Sequence, residues 1–448
     1  MITELFVPGA PDLEDAYRDD LTKIANRRFF ERRLNECLAA PSETDATTIL
    51  LMLDLDRFKA VNDSLGHAVG DSLLCRVTQR VASQLSDTDT FARLGGDEFG
   101  IILHDRCDVS DLATRIIELV QRTYLIDGLP VNVGVSVGVA VFPTDAKDPS
   151  HLMRCADLAL YQAKSAGRNC FVYFEQAMEV KARDKREMEI ELRKAVAMRQ
   201  LEVHYRPQID IKSQKLFGLE TVLLWKHPQR GVLDAASFIP LAEETGVIIA
   251  VGEWALKAVC REASRWPEEV VVALRVSPLQ FESNRFFDAV KQSLATYGIK
   301  GHRLELEVTE GILLRDGKIV QTMLERLRSI GIRVAIDSFG TGIASLSQMV
   351  DFPLDKIKIA KSLVEEGTTG IKERAIVRAI AALGASLGIS TVVDGVTTPE
   401  HLSRIQMDGC SSIQGCLFSE AVSADMLKTR VSQLTMPMQS TTTSETHS

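Results

Sequence analysis

Asp97 and Glu98 stand side by side directly after Gly95-Gly96, with largely apolar runs at residues 91–94 and 99–103 on either side. Consecutive glycines permit the positive φ angles of a tight hairpin turn and let a ligand approach the backbone closely. The pattern predicts two paired strands with Gly95-Gly96 as the turn and both carboxylates beside it. Taken alone, the turn is equally a solvated one. Upstream, residues 48–53 form an apolar run that reads as a strand ending on Asp54, followed by polar, glycine-punctuated sequence with helical spacing. A strand end beside the hairpin would bring Asp54 near Asp97. Two carboxylates and a backbone carbonyl are hard oxygen donors that suit Mg²⁺, whose octahedron is completed by water and phosphate oxygens. Metal-assisted phosphoryl transfer is the chemistry such a set supports.

Residues 19–28 (DDLTKIANRR), 53–63 (LDLDRFKAVND), the glycine–acid turn and 156–169 (ADLALYQAKSAGRN) occur in that order. Together they resemble the GGDEF domain of diguanylate cyclases over residues 19–174. The resemblance implies a cyclase-like α/β sandwich that uses Mg²⁺ or Mn²⁺ and condenses two GTP into cyclic di-GMP and two pyrophosphates. It assigns the metal to Asp54, the Leu55 carbonyl and Asp97, and activation of the ribose 3′-hydroxyl to Glu98. Asn62 and Asp71 would read guanine; a carboxylate accepts two hydrogen bonds from guanine N1 and N2, a pattern adenine does not offer. Lys164 and Arg168 would neutralise the β- and γ-phosphates, with the backbone around Phe58 and Lys59 cradling them. One such site holds one GTP, so two domains must face each other and a homodimer through this domain is expected. Family members often carry an Arg-x-x-Asp product-binding motif before the turn. Here the stretch is Ser86-Asp87-Thr88-Asp89, without the arginine, which predicts weak feedback inhibition. Lys23, where the family usually has glycine, is expected to matter little.

The chain has 448 residues, enough for two or three cores at roughly 150 residues each. A net charge of −9 argues against a dedicated nucleic-acid binder, although a phosphate pocket needs only a few cations. Eight cysteines without CxxC spacing suggest neither zinc nor a disulfide framework, and point to the cytoplasm. No apolar run approaches the roughly 20 residues of a membrane span. Residues 1–18 form a short N-terminal segment. Residues 175–199 lack Gly and Pro and read as a connecting helix, and the Ser/Thr-rich end, 433–448, reads as a disordered tail.

From 200 to 432, strand-like runs alternate with helix-length segments, which suggests a (β/α)₈-like barrel. Polar residues at strand ends are then candidates: Glu220, Glu307, Asp337, Lys358 and Asp394. The region resembles the EAL domain of cyclic di-GMP phosphodiesterases, marked by FIPLAEETG (238–246), WKHP (225–228), EVTE (307–310), FGTG (339–342) and Gln414-Gly415. Hydrolysis in that family requires acids and an asparagine that hold two metals. Here Glu220 lies in Glu-Thr-Val rather than Glu-Ala-Leu, and Asp394 stands for a glutamate. The asparagine is Arg275, the second loop aspartate is Ser338, and later acids are Ala360 and Thr397. Leu224 replaces an arginine and Arg206 a glutamine. Arg275 is expected to sit among Glu220, Glu307 and Asp337 in place of a metal, leaving the barrel unable to hydrolyse. Three functions compete: a cyclase with an inactive barrel in a regulatory or protein-binding role; a non-catalytic effector that binds cyclic di-GMP or a protein; and a bifunctional cyclase and phosphodiesterase.

Overall fold

The computed structural model describes residues 16–39, 47–283, 285–314, 317–340, 352–364 and 370–427. The first fifteen residues and the expected tail at 433–448 lie outside them. The chain divides into two compact units, Met1–Arg186 and Glu187–Ser448.

The first unit is built on a six-stranded sheet, in the order Ala25–Asn26, Thr90–Gly95, Glu98–His104, Thr48–Asp56, Gly134–Phe142, Phe171–Tyr173. Thr48–Asp56 lies near the middle and runs antiparallel to both neighbours. Its side chains are apolar on both faces, so both faces must be covered. Leu50 and Met52 pack with Phe30, Leu34, Leu152 and Ala156 from the helices Arg27–Ala39 and Pro149–Ser165. Leu51, Leu53 and Leu55 pack with Leu73, Val77, Leu112 and Ile116 from His67–Ala82 and Val109–Val120 on the other face. The result is the α/β sandwich expected. Gly138 lets helix Pro149–Ser165 approach: a Cβ there would lie 2.1 Å from the Ala156 carbonyl oxygen, which only backbone movement could relieve. That close approach fixes the height of Lys164 over the sheet.

The hairpin turn lies one residue later than the sequence suggests. Gly95 remains in the strand, paired with Glu98, and Gly96-Asp97 form the turn. Gly95 and Gly96 take φ values of 146° and 54°, which favour glycine at both positions. Glu98 therefore opens the return strand instead of sitting on the loop.

In the second unit eight strands close into a barrel: Leu201–Asp210, Leu216–His227, Val271–Arg275, Leu304–Thr309, Arg333–Phe339, Lys356–Ile359, Ser390–Val393 and Ser412–Ile413, which pairs back to the first. Leu201–Asp210 is antiparallel to both neighbours, whereas the remaining barrel pairs are parallel. The cause is local. Only residues 211–215 join it to the next strand, too few for a parallel crossover, and the Asp210 carboxylate accepts from the Ser213 N–H (2.7 Å) to close the turn. Helix Gln176–Ala195 covers most of the expected connecting segment. It sets Met178 against the first unit's core and Leu192 and Ala195 into the second's.

Candidate active site

At one end of the first unit's sheet, Asp54 is the register partner of Glu98 on one side and Ser136 on the other. The Leu55 N–H donates to the Asp97 carbonyl oxygen at 3.3 Å, which fastens the turn to the central strand. Asp54, Leu55, Asp97 and Glu98 thus lie together. Burial raises the Asp54 carboxyl above its usual range. Lys164 opposes that rise from 2.6 Å away, and the charges of Asp97 and Glu98 add to it. An ammonium resting on a carboxylate crowded by two others marks a place where positive charge is required, and hard oxygen donors there fit a divalent cation. Glu98 is steadied by Arg27, whose Nη2 lies 3.6 Å from the carboxylate while its Nε donates to the Leu94 carbonyl oxygen at 2.9 Å. Asp157 lines the same cavity of ≈ 250 Å³ as Arg27, Glu98 and Lys164.

Helix Phe58–Leu65 begins right after the central strand, at Arg57, which takes φ 60°, and no side chain caps its first turn. Phe58 and Lys59 therefore present first-turn amides toward that strand end. Asn62 is half-buried against Gly70, its Oδ1 has no partner, and Asp71 is exposed one residue further on. Lys164 and Arg168 do not share one cavity. Lys164 reaches Asp54, whereas the Arg168 Nε faces Asp56 at 4.0 Å in a separate groove. The reason is that Arg168 lies past the end of the helix that carries Lys164, in a turn with φ 68°.

At the expected product site, Asp89 is already engaged. Its carboxylate accepts from the Ser86 N–H and hydroxyl (both 2.8 Å) and from Arg106 (2.8 Å), with the side chain 4% exposed. Arg106 in turn holds Asp108 at 2.7 Å. Adding cyclic di-GMP at micromolar concentration to a GTP turnover assay should leave the rate within about twofold of the uninhibited value, since this guanidinium is already doubly paired. Strong inhibition relieved by Asp89→Ala would contradict this.

At the mouth of the barrel, Glu220, Glu307 and Asp337 converge on the Lys358 ammonium, which touches Glu220, lies 3.3 Å from Glu307 and 3.2 Å from Asp337, and is 3% exposed. This corrects the expectation for Arg275. Its side chain is 60% exposed and reaches Asp337 alone, at 3.5 Å. Arg275 ends its strand and leaves the barrel at the rim, whereas Lys358 points inward. Arg206 bridges Glu220 (3.3 Å) and Asp394 (3.7 Å). Ser338 lies at φ 57°, Leu224 is half-buried, Ala360 is buried, and the Thr397 hydroxyl meets His401 Nδ1 at 3.3 Å. Burial would raise Asp337, but Lys358 and Arg275 hold it below the usual range. Glu307 goes the other way: burial, then Glu220, Asp337 and Glu305, outweigh Lys358 and push its carboxyl up to about 8.

Beneath the mouth, Lys356 donates to Glu305 (2.6 Å) and Gln208 (3.1 Å), Gln208 to Gln414 (3.1 Å), and Gln414 to Glu220 (2.8 Å). The sequence reading missed this chain of side chains. Strand periodicity could have shown it, because Lys356 shares a face with Lys358, and Glu305 with Glu307. Glu307 Oε1 is buried without a hydrogen-bond partner.

A raised carboxyl means the folded barrel binds a proton that the unfolded chain releases above about pH 4.5. The contribution is present at low pH and is lost as pH rises through about 8. In EDTA, wild-type melting temperature should fall more steeply between pH 6 and 9 than that of Glu307→Gln. Parallel curves would contradict it.

Two folds are thus joined in one chain, an α/β sandwich with paired acids on a hairpin and a barrel with an acid–lysine mouth. The chain belongs to the GGDEF–EAL family: "Diguanylate cyclase, GGDEF domain" matches residues 16–170 and "EAL domain" residues 189–421. It is 36% identical over 418 residues to the bifunctional diguanylate cyclase/cyclic di-GMP phosphodiesterase MucR of Pseudomonas aeruginosa, covering 92% of this chain and 61% of that protein. The solved PaMucR phosphodiesterase in complex with c-di-GMP is 35% identical, with TM-score 0.52, and the match covers 54% of this chain and 99% of that one. The Vibrio cholerae LapD S helix–GGDEF–EAL structure shares the fold across 90% of this chain and 96% of its own, at TM-score 0.58 and 18% identity. The chain spans about half to three-fifths of the length of the first curated relatives it matches. No helix among the described residues is long and apolar enough to cross a membrane.

Proposed function

We propose that the first unit is a diguanylate cyclase and that the barrel does not hydrolyse cyclic di-GMP. The carrying observation is the register that sets Asp54 opposite Glu98, with the Asp97 turn fastened to Leu55 and Lys164 on Asp54. Asn62 and Asp71 select guanine. The first-turn amides at Phe58 and Lys59 and the Lys164 ammonium hold the phosphates, and Arg168 joins them by swinging away from Asp56. Glu98, oriented by Arg27, accepts the proton of the 3′-hydroxyl as that oxygen attacks the α-phosphorus of the partner GTP and pyrophosphate departs. When bound through Asp54, the Leu55 carbonyl and Asp97, Mg²⁺ or Mn²⁺ supplies charge stabilisation for the phosphates. The reaction places the protein with GTP in the cytoplasm.

Because each site supplies half of the reaction, two first units must meet. The initial rate of cyclic di-GMP formation from GTP and Mg²⁺ should rise faster than linearly with enzyme concentration. Strict proportionality across a thousandfold dilution, with the protein monomeric by light scattering throughout, would overturn the homodimer.

For the barrel, Arg275, Ser338, Ala360 and Thr397 stand where the family carries an asparagine and acids, Arg206 and Arg275 already pair with Glu220, Asp394 and Asp337, and a guanidinium cannot acidify a bound water as a divalent metal does. Its role is then regulation or binding of a protein partner. The bifunctional reading is favoured by the name of the MucR relative and by the vacant Glu307 Oε1. Linear pGpG formed from cyclic di-GMP in Mg²⁺ or Mn²⁺ would establish it.

A further inference from the structure

The groove that holds Arg168 has a volume of ≈ 640 Å³ and runs along the side of helix Phe58–Leu65 that faces away from Gly70. Its residues do not belong to the guanine-reading set. Arg57 and Arg168 stand at one end. Asp56, the only acid among the lining residues, accepts from the Ser136 hydroxyl (2.8 Å) and the Asn169 N–H (3.0 Å) and lies 4.0 Å from the Arg168 Nε, while the Arg57 side chain has no partner among the described residues, so two guanidiniums stand against one carboxylate. That end is therefore positively charged. Three residues on its walls, Arg57, Arg168 and Asn169, hold φ of 60°, 68° and 50°. Left-handed backbone at non-glycine residues persists where surrounding structure enforces it, and it clusters at ligand sites.

Away from the arginines the groove becomes apolar. Val61 and Leu65 on the helix line it together with Pro130 on the hairpin Tyr124–Ile126/Leu129–Val131. Gln121 and Asn132 border this part, and each has its amide oxygen occupied, by Asn169 (2.8 Å) and the Thr123 hydroxyl (2.8 Å). What they retain is NH₂ donors. From Arg57 to Leu65 the helix advances about 12 Å at 1.5 Å per residue, close to the reach of a nucleoside monophosphate. A guanidinium pair for a phosphate, apolar side chains for a flat ring and amide donors for its acceptor edge describe one ligand class.

We propose that this groove binds a nucleoside monophosphate, with phosphate on Arg57 and Arg168 and base between Leu65 and Pro130. Arg168 is then drawn away from GTP, so the ligand opposes substrate binding. That second half rests on the cyclase reading; the binding itself does not. AMP is the probe, since Asn62 and Asp71 do not match adenine. Calorimetry on the full chain should show one AMP bound per chain, weakened at least tenfold by Leu65→Glu on the exposed rim and by Arg57→Gln. In turnover assays AMP should raise KM for GTP without changing kcat, and Leu65→Glu should remove that effect. No AMP binding at millimolar concentration, binding unaltered by Leu65→Glu, or inorganic phosphate binding as tightly as AMP would each overturn the proposal. Variant-sensitive AMP binding in a protein that makes no cyclic di-GMP would uphold the groove while the cyclase reading fails.

Discussion

Glu98→Gln should lower the rate of cyclic di-GMP formation by about 10²–10⁴-fold, with GTP binding changed little. The amide keeps the shape of the side chain and can still lie beside Arg27, but it cannot take the 3′-hydroxyl proton. Asp54 remains opposite position 98 in the strand pair, so the metal-binding carboxylates keep their places. The readout is the initial rate at saturating GTP together with GTP affinity by equilibrium binding. A loss below tenfold would show that Glu98 is not the base, and a parallel loss of GTP affinity would show that its role is in binding.

The paired acids were legible because a strand ending on an acid and a glycine turn are local patterns. Asp54 and Asp97 come together as the sequence predicts, by the pairing of Thr48–Asp56 with Glu98–His104. The turn itself was misplaced by one residue. Consecutive glycines fix only that positive φ is available, and the register between strands decides which residues turn. Arg27 lay inside a quoted motif, yet its reach to Glu98 depends on how helix Arg27–Ala39 packs, which no local pattern states. In the barrel, alternation of strands and helices gave the architecture, while the reversed first strand follows from a five-residue connection that the sequence reading passed over. Arg275 was recognised as a substitution and placed in the centre of the acids. Which cation fills the centre depends on side-chain direction, and Lys358 points inward where Arg275 reaches only the rim.

Lys358→Met should destabilise the barrel by about 3–5 kcal/mol, because removing one partner of a buried ionic cluster leaves the others uncompensated. Lys358 is almost fully enclosed. Burial alone would lower its ammonium, but Glu220, Glu307, Asp337 and Asp394 hold it well above its ordinary range. Without it, the buried Glu307 and Asp337 lose their shared ammonium, and Arg275 is the remaining cation on Asp337. Trp225, Trp254 and Trp266, the only tryptophans, all lie in the second unit, so urea unfolding followed by tryptophan fluorescence reports that unit. Adding Asp337→Asn to Lys358→Met should recover part of the loss, because the Asp337 carboxyl, held below the usual range in the intact mouth, is the charge left stranded. An unchanged midpoint in Lys358→Met would contradict the picture of a charge-compensated mouth.

The most direct test of the central claim is to incubate the purified chain with GTP and Mg²⁺, resolve the nucleotides by chromatography, and run Glu98→Gln in parallel. Cyclic di-GMP that accumulates in wild type alone, with no linear pGpG following it, is the result predicted for a cyclase joined to a silent barrel. Absence of cyclic di-GMP at high enzyme concentration, or its steady conversion to pGpG, would contradict that account.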